Sequence, residues 1–175
     1  KLETFKNKIS IKNIKTIYKN LINNKSEVIN SLSLNYQYSF KKKNLLKYKK
    51  RKHFRVIGMG GSTLGTQAIY DFLKNKIKKN FIFIDNLKLS QKKEKKKFTN
   101  LIVSKSGNTI ETLKNMNLLK KKLNSSNTIL IVENKNNSIN VLSKKIKTSI
   151  IEHRKYVGGR YSILSEVGMI PSHLM

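Results

Sequence analysis

Cysteine is absent from this chain, which excludes disulfides, thiolate catalysis and the common cysteine-based zinc sites. Tryptophan is absent too, proline occurs once, and glycine occurs only 8 times in 175 residues. No apolar run approaches the roughly 18 residues that a membrane-spanning helix needs, and residues 1–10 hold no apolar signal-peptide core. A soluble, cytoplasmic protein is therefore expected. The first residue is Lys1 rather than methionine, so the chain is also expected to be a piece of a longer product. Acidic residues are scarce, 9 against 38 Lys and Arg, for a net charge of +29.

Such an excess ordinarily points to a polyanionic partner. Here the lysines are spread along the whole chain among many asparagines and isoleucines, and only Arg51, Arg55, Arg154 and Arg160 are arginine. Aromatic residues do not interleave with the basic runs as base-stacking platforms would. No specific nucleic acid and no membrane is expected as a partner. The positive field would still draw in small phosphorylated metabolites.

What the chain does contain is ordered. Residues 2–34 carry Leu2, Phe5, Ile9, Ile14, Ile17, Leu21, Val28, Ile29 and Leu32 at roughly helical intervals, predicting a helical N-terminal segment. Residues 41–52 are very basic and read as an exposed linker, so that residues 1–50 precede a domain at 51–175. Five short apolar runs follow at 54–57, 81–84, 101–103, 129–132 and 149–151, separated by stretches of helical length at 63–77, 109–123 and 138–146. This alternation predicts an α/β domain with a five-stranded, mostly parallel sheet flanked by helices. Ligands of such sheets sit beyond the carboxyl ends of the strands.

All the glycines fall in three stretches, G58-M-G-G-S-T-L-G65, S104-K-S-G-N-T109 and V157-G-G-R-Y-S-I-L-S-E-V-G168. The first follows a strand and opens a helix, so its backbone amides could converge on an anion, with Ser62 and Thr63 adding hydroxyls. A plain strand-to-helix turn capped by Ser62 or Thr63 remains an alternative. The dinucleotide fingerprint is incomplete because its third glycine would fall at Thr63, although Asp85 sits where a ribose-binding acid could. No G-x-x-x-x-G-K-[ST] is present, which argues against a nucleoside triphosphatase. The second stretch gathers Ser104, Ser106 and Thr109, the ammonium of Lys105 and Gly107, which matches the needs of a phosphate dianion. Asn108 and Glu111 could equally form a capping box.

These three motifs, in this order over residues 54–171, resemble the successive signatures of the glucose-6-phosphate isomerase family. The first two also resemble the wider sugar isomerase (SIS) domain, and the third narrows the family. The resemblance implies a doubly wound SIS-type fold and a sugar phosphate as the small-molecule partner. By position it puts Ser104, Lys105, Ser106 and Thr109 on the phosphate loop, Gly61 and Ser62 on the sugar-holding loop, and Arg160 on the arginine that steadies an enediolate. An arginine that caps a helix or pairs with Glu166 is the alternative for Arg160. Tyr161, Ile163, Leu164 and Val167 have the spacing of a buried helix face.

The implied reaction interconverts glucose 6-phosphate and fructose 6-phosphate through a cis-enediol, without a metal or redox cofactor, in a homodimer. In the family the acid–base residues lie beyond the third motif, so this chain is expected to lack the base. His53, His153 and His173 do not match the ring-opening histidine and read as surface or partly buried residues. A non-catalytic sugar-phosphate module and, behind it, a dinucleotide-binding domain are the other readings.

Overall fold

The computed structural model describes residues 11–24, 26–87 and 96–175. The chain divides into two compact units between Tyr36 and Gln37. In the first, helix α1 (Ile11–Ile22) is followed by the short α2 (Glu27–Asn30), whose N-cap Ser26 accepts a hydrogen bond from the Ile29 amide at 3.4 Å. The apolar positions of α1 lie on one side, and Ile14, Ile17, Tyr18, Leu21 and Ile22 are exposed. The expected helical pattern at 2–10 lies outside the described residues.

The second unit is built on a sheet of five strands, β1 (His53–Ile57), β2 (Asn80–Ile84), β3 (Thr99–Ser104), β4 (Thr128–Val132) and β5 (Ile150–Glu152). Their order is β2-β1-β3-β4-β5 and every pairing is parallel. All of β3 and β4 is buried, as strands covered on both faces must be. Helices α3 (Leu64–Leu73), α4 (Ile110–Leu119), α5 (Ser138–Lys145) and α6 (Glu166–Leu174) surround the sheet. Alternate strand residues feed two cores. Phe54, Val56, Leu101, Val103, Ile129 and Ile131 meet Val167, Ile170 and Leu174 of α6 on one face. Ile57, Ile102, Leu130 and Val132 meet Leu119, Ile139 and Leu142 on the other.

Residues 41–52 differ from the expected exposed linker. A 3-10 helix, Lys42–Tyr48, inserts Leu45 and Tyr48 into the α6-side core, both at most 3% exposed. The Tyr48 hydroxyl donates to the Thr128 carbonyl at 3.2 Å, and the lysines around these two residues stay in solvent. The dense positive charge hid an apolar pair at 3-10 spacing.

Helix α6 contains the single proline, Pro171. With no N–H, Pro171 cannot bond the carbonyl of Val167 one turn earlier. The buried Thr66 hydroxyl of α3 donates to that carbonyl instead, at 3.2 Å, and so ties α3 to α6.

Candidate functional site

The strand order reverses direction between β1 and β3, where successive connections leave to opposite sides. The crevice outside the carboxyl ends of these two strands is where such sheets bind ligands. The loop after β1 holds Gly58 to Thr63, the loop after β3 holds Lys105 to Thr109, and both run into helix N-termini, those of α3 and α4. Unsatisfied amides and the positive dipole ends of both helices therefore face the same crevice.

In the β3 loop the three expected hydroxyls come together. Thr109 Oγ1 lies 3.0 Å from Ser104 Oγ and 3.3 Å from Ser106 Oγ. Ser104 Oγ accepts from the Gly107 amide and Ser106 Oγ from the Asn108 amide, both at 3.2 Å. Gly107 has φ +71°, the left-handed region that glycine enters without steric cost. A side chain there would also overlap Asn137, the N-cap of α5. The Lys105 ammonium donates to the Lys155 carbonyl at 2.6 Å and keeps two further protons for a ligand. Ser106 is exposed and Lys105 half-buried, so the cluster opens to solvent.

Asn108 and Glu111 do not form the capping box. Thr109 stands at the N-cap position of α4, and the Asn108 side chain instead accepts from the amide and hydroxyl of Ser138, both at 2.9 Å, joining the loop to α5. In the β1 loop, Thr63 occupies the N-cap position of α3, but its hydroxyl donates back to the Gly60 carbonyl at 3.2 Å. Asp85, at the end of β2, accepts from its neighbour Asn86 at 3.1 Å.

The third motif reaches the first one backbone to backbone. It forms a 3-10 turn, Gly159–Leu164, rather than the expected helix face. Tyr161 and Leu164 are exposed for that reason, Ile163 is half-buried, and only Val167, already in α6, is buried. Gly61 packs so closely on Gly159 that a Cβ at 61 would overlap the Gly159 carbonyl. Ser162 Oγ lies 2.6 Å from the Gly159 carbonyl and 3.2 Å from that of Gly61, completing the junction. Arg160 follows directly and is exposed; among the described residues its guanidinium makes no ion pair. Glu166, the alternative partner for it, is fully buried and accepts from the Ser39 amide at 2.7 Å.

The segment between β5 and the third motif runs past the β3 loop, as the Lys105 to Lys155 bond records. His153 in that segment is 1% exposed, unlike the surface or partly buried residue expected. Burial pushes its imidazole below the ordinary value of 6.5, and Lys105 pushes in the same direction. The Arg154 carbonyl, 3.2 Å from Nδ1, and the carboxylates of Glu166 and Glu133 oppose the shift. His53 is half-buried and His173 exposed. Sequence reasoning missed the Lys155 carbonyl, Ser138 and the Gly61–Gly159 contact; long-range backbone partners carry no side-chain signal.

Residues 22–175 match the family model of phosphoglucose isomerase. A glucose-6-phosphate isomerase of Methanocaldococcus jannaschii is 33% identical, covering 93% of this chain and 44% of that protein. One from Borrelia garinii subsp. bavariensis is 36% identical over 69% of this chain and 26% of its own length. A probable glucose-6-phosphate isomerase of Methanococcus maripaludis is 30% identical over 98% of this chain and 42% of its own. The chain thus spans less than half the length of these curated relatives. A hypothetical protein of Thermus thermophilus shares the fold at TM-score 0.71 and 23% identity, covering 92% of this chain and 43% of that one. With three glycine motifs converging on one crevice and the family match extending over the whole of the sheet-bearing unit, this chain belongs to the phosphoglucose isomerase family.

Proposed function

We propose that the sheet-bearing unit is a SIS-type domain that binds a hexose 6-phosphate, as part of an enzyme interconverting glucose 6-phosphate and fructose 6-phosphate. The observation that carries this reading is the clustering of Ser104, Ser106 and Thr109 within hydrogen-bond reach of one another, beside Lys105, at the switch point of the sheet. In this reading the hydroxyls, the loop amides and Lys105 hold the phosphate. Gly61 and Ser62 hold the sugar, and Arg160 stabilises the enediolate.

The reaction needs a base that takes the C2 proton of the open-chain aldose and returns a proton to C1, while a proton moves from the C2 hydroxyl to the C1 oxygen. Of the carboxylates near the loops, Glu166 is buried on the Ser39 amide, Glu133 pairs with Lys135 at 2.8 Å and Glu152 with Arg154 at 3.1 Å, while Glu111 sits in the first turn of α4. A chain that binds substrate without turning it over is part of this reading because the family's acid–base residues lie beyond the third motif. The family resemblance extends the reading to a cytoplasmic homodimer that uses neither metal nor redox cofactor.

Calorimetric titration with 6-phosphogluconate, whose carboxylate mimics the enediolate, tests the site. Saturable binding at about 0.15 M salt is expected, abolished by Lys105→Ala with Ser106→Ala and weakened by Arg160→Ala; no isomerase turnover is expected from the chain alone. Binding untouched by all of these changes would remove the assigned residues from the site, and substantial turnover would place the base among them.

A further inference from the structure

A cavity of about 420 Å3 opens at the opposite, amino edge of the sheet, beneath the starts of β1, β3 and β4. Its size falls in the range of roughly 300–1,000 Å3 usual for ligand sites. Five of its ten described lining residues are cationic, Arg51, Arg55, Lys96, Lys97 and Lys122, and none of the ten is acidic. That proportion is more than twice the chain's own, 38 of 175, so the general lysine excess does not account for it.

The floor of the cavity is built rather than incidental. Arg55 and Asn100 are register partners on β1 and β3, 1% and 2% exposed, with Arg55 Nη1 donating to Asn100 Oδ1 at 3.0 Å. The guanidinium also stacks 4.4 Å from the centre of the Phe98 ring. A fork of donors held by an amide and an aromatic face is preorganised, whereas a surface lysine must be ordered when a ligand binds. The other four cations are exposed around this floor.

We propose that this cavity binds a compact anion of at least three negative charges, an oligophosphate, either free or as the phosphate chain of a nucleotide. A monophosphate offers too little charge for five cations. Three to four strand residues separate the floor of this cavity, Arg55 and Asn100, from Gly58 and Ser104 of the sugar-phosphate loops, roughly 10–13 Å at about 3.3 Å each. The two sites share no lining residue, so each can be altered by substitution without removing groups of the other.

Titration of the chain with inorganic tripolyphosphate at about 0.15 M salt tests the proposal. One saturable site is expected, weakened at least tenfold by Arg51→Glu with Lys122→Glu, both at exposed positions where folding should be unaffected. Lys114→Glu with Lys144→Glu, an equal charge change at exposed positions outside the cavity lining, should leave it unchanged, as should Lys105→Ala with Ser106→Ala. Tighter binding of ATP than of tripolyphosphate would identify a nucleotide as the ligand, and equal affinity the phosphate chain alone. Absent saturation, or equal weakening by both reversal pairs, would reduce the cavity to part of the general positive field and overturn the proposal. Neither outcome would alter 6-phosphogluconate binding, so the two readings fail separately.

Discussion

Gly61 stands against the Gly159 carbonyl, and Arg160 leaves the chain one bond further on. The position of the guanidinium thus depends on a residue nearly a hundred places earlier that has no side chain. Gly61→Ala would have to push the third motif outward, at a cost of about 1–3 kcal/mol typical of overpacking. Urea unfolding should show that loss together with weaker 6-phosphogluconate binding; unchanged values for both would mean the contact is loose. His153 gives a second residue-scale expectation. Its folded-state pKa lies below 6.5, so the unfolded chain takes up the proton first. The stability associated with neutral His153 is present above pH 6.5 and is lost as pH falls from there through the folded-state pKa. Comparing urea unfolding at about pH 7.5 and 5.5, His153→Leu should flatten that part of the decline. The loop hydroxyls stood out because their types match phosphate chemistry, whereas Arg160 stood out through the resemblance of the third motif to the family, which oxyanion chemistry supports. The sequence did not mark His153 as buried, since burial there follows from the path of the chain after β5.

At the scale of elements, short apolar runs were sufficient to locate all five strands: the inner β1, β3 and β4 are largely buried and rich in Val, Ile and Leu, and the half-buried edge strands β2 and β5 stand out from the polar residues around them. Helices α3, α4 and α5 were legible in place but not in extent, and α6 was not read: α4 ends at Leu119 and passes into a 3-10 turn over Lys120–Lys122, where like charges crowd. The segment at 41–52 misled because charge dominated its composition, while its two packing residues were only Leu45 and Tyr48. Leu45→Ala should therefore cost about 2–5 kcal/mol in urea unfolding, as a core truncation does; a change under about 0.5 kcal/mol would fit an exposed linker. The pairing of α3 with α6 through Thr66 answers a vacancy that Pro171 creates. Thr66→Val keeps the shape but leaves the Val167 carbonyl without its donor. A loss of about 1–3 kcal/mol is expected, measurable by thermal or urea unfolding.

The whole molecule places its two concentrations of anion-binding groups at opposite edges of one sheet. In the proposed function the carboxyl edge selects its ligand by loop geometry: two helix N-termini, a left-handed Gly107 and hydroxyls fixed on one another. In the proposed second site at the amino edge, charge density around a buried arginine does the selecting. The first was readable in the sequence because glycine is rare and confined. The second was not, because Arg51, Lys96 and Lys122 look like every other basic residue until the sheet gathers them. The most direct test of the phosphate site is an amide NMR titration of the chain with 6-phosphogluconate. Saturating shifts should concentrate at Gly61, Ser106, Gly107, Asn108 and Arg160, three motifs moving with one binding constant. Shifts scattered over exposed lysines, or confined to one motif, would contradict a single site built from all three.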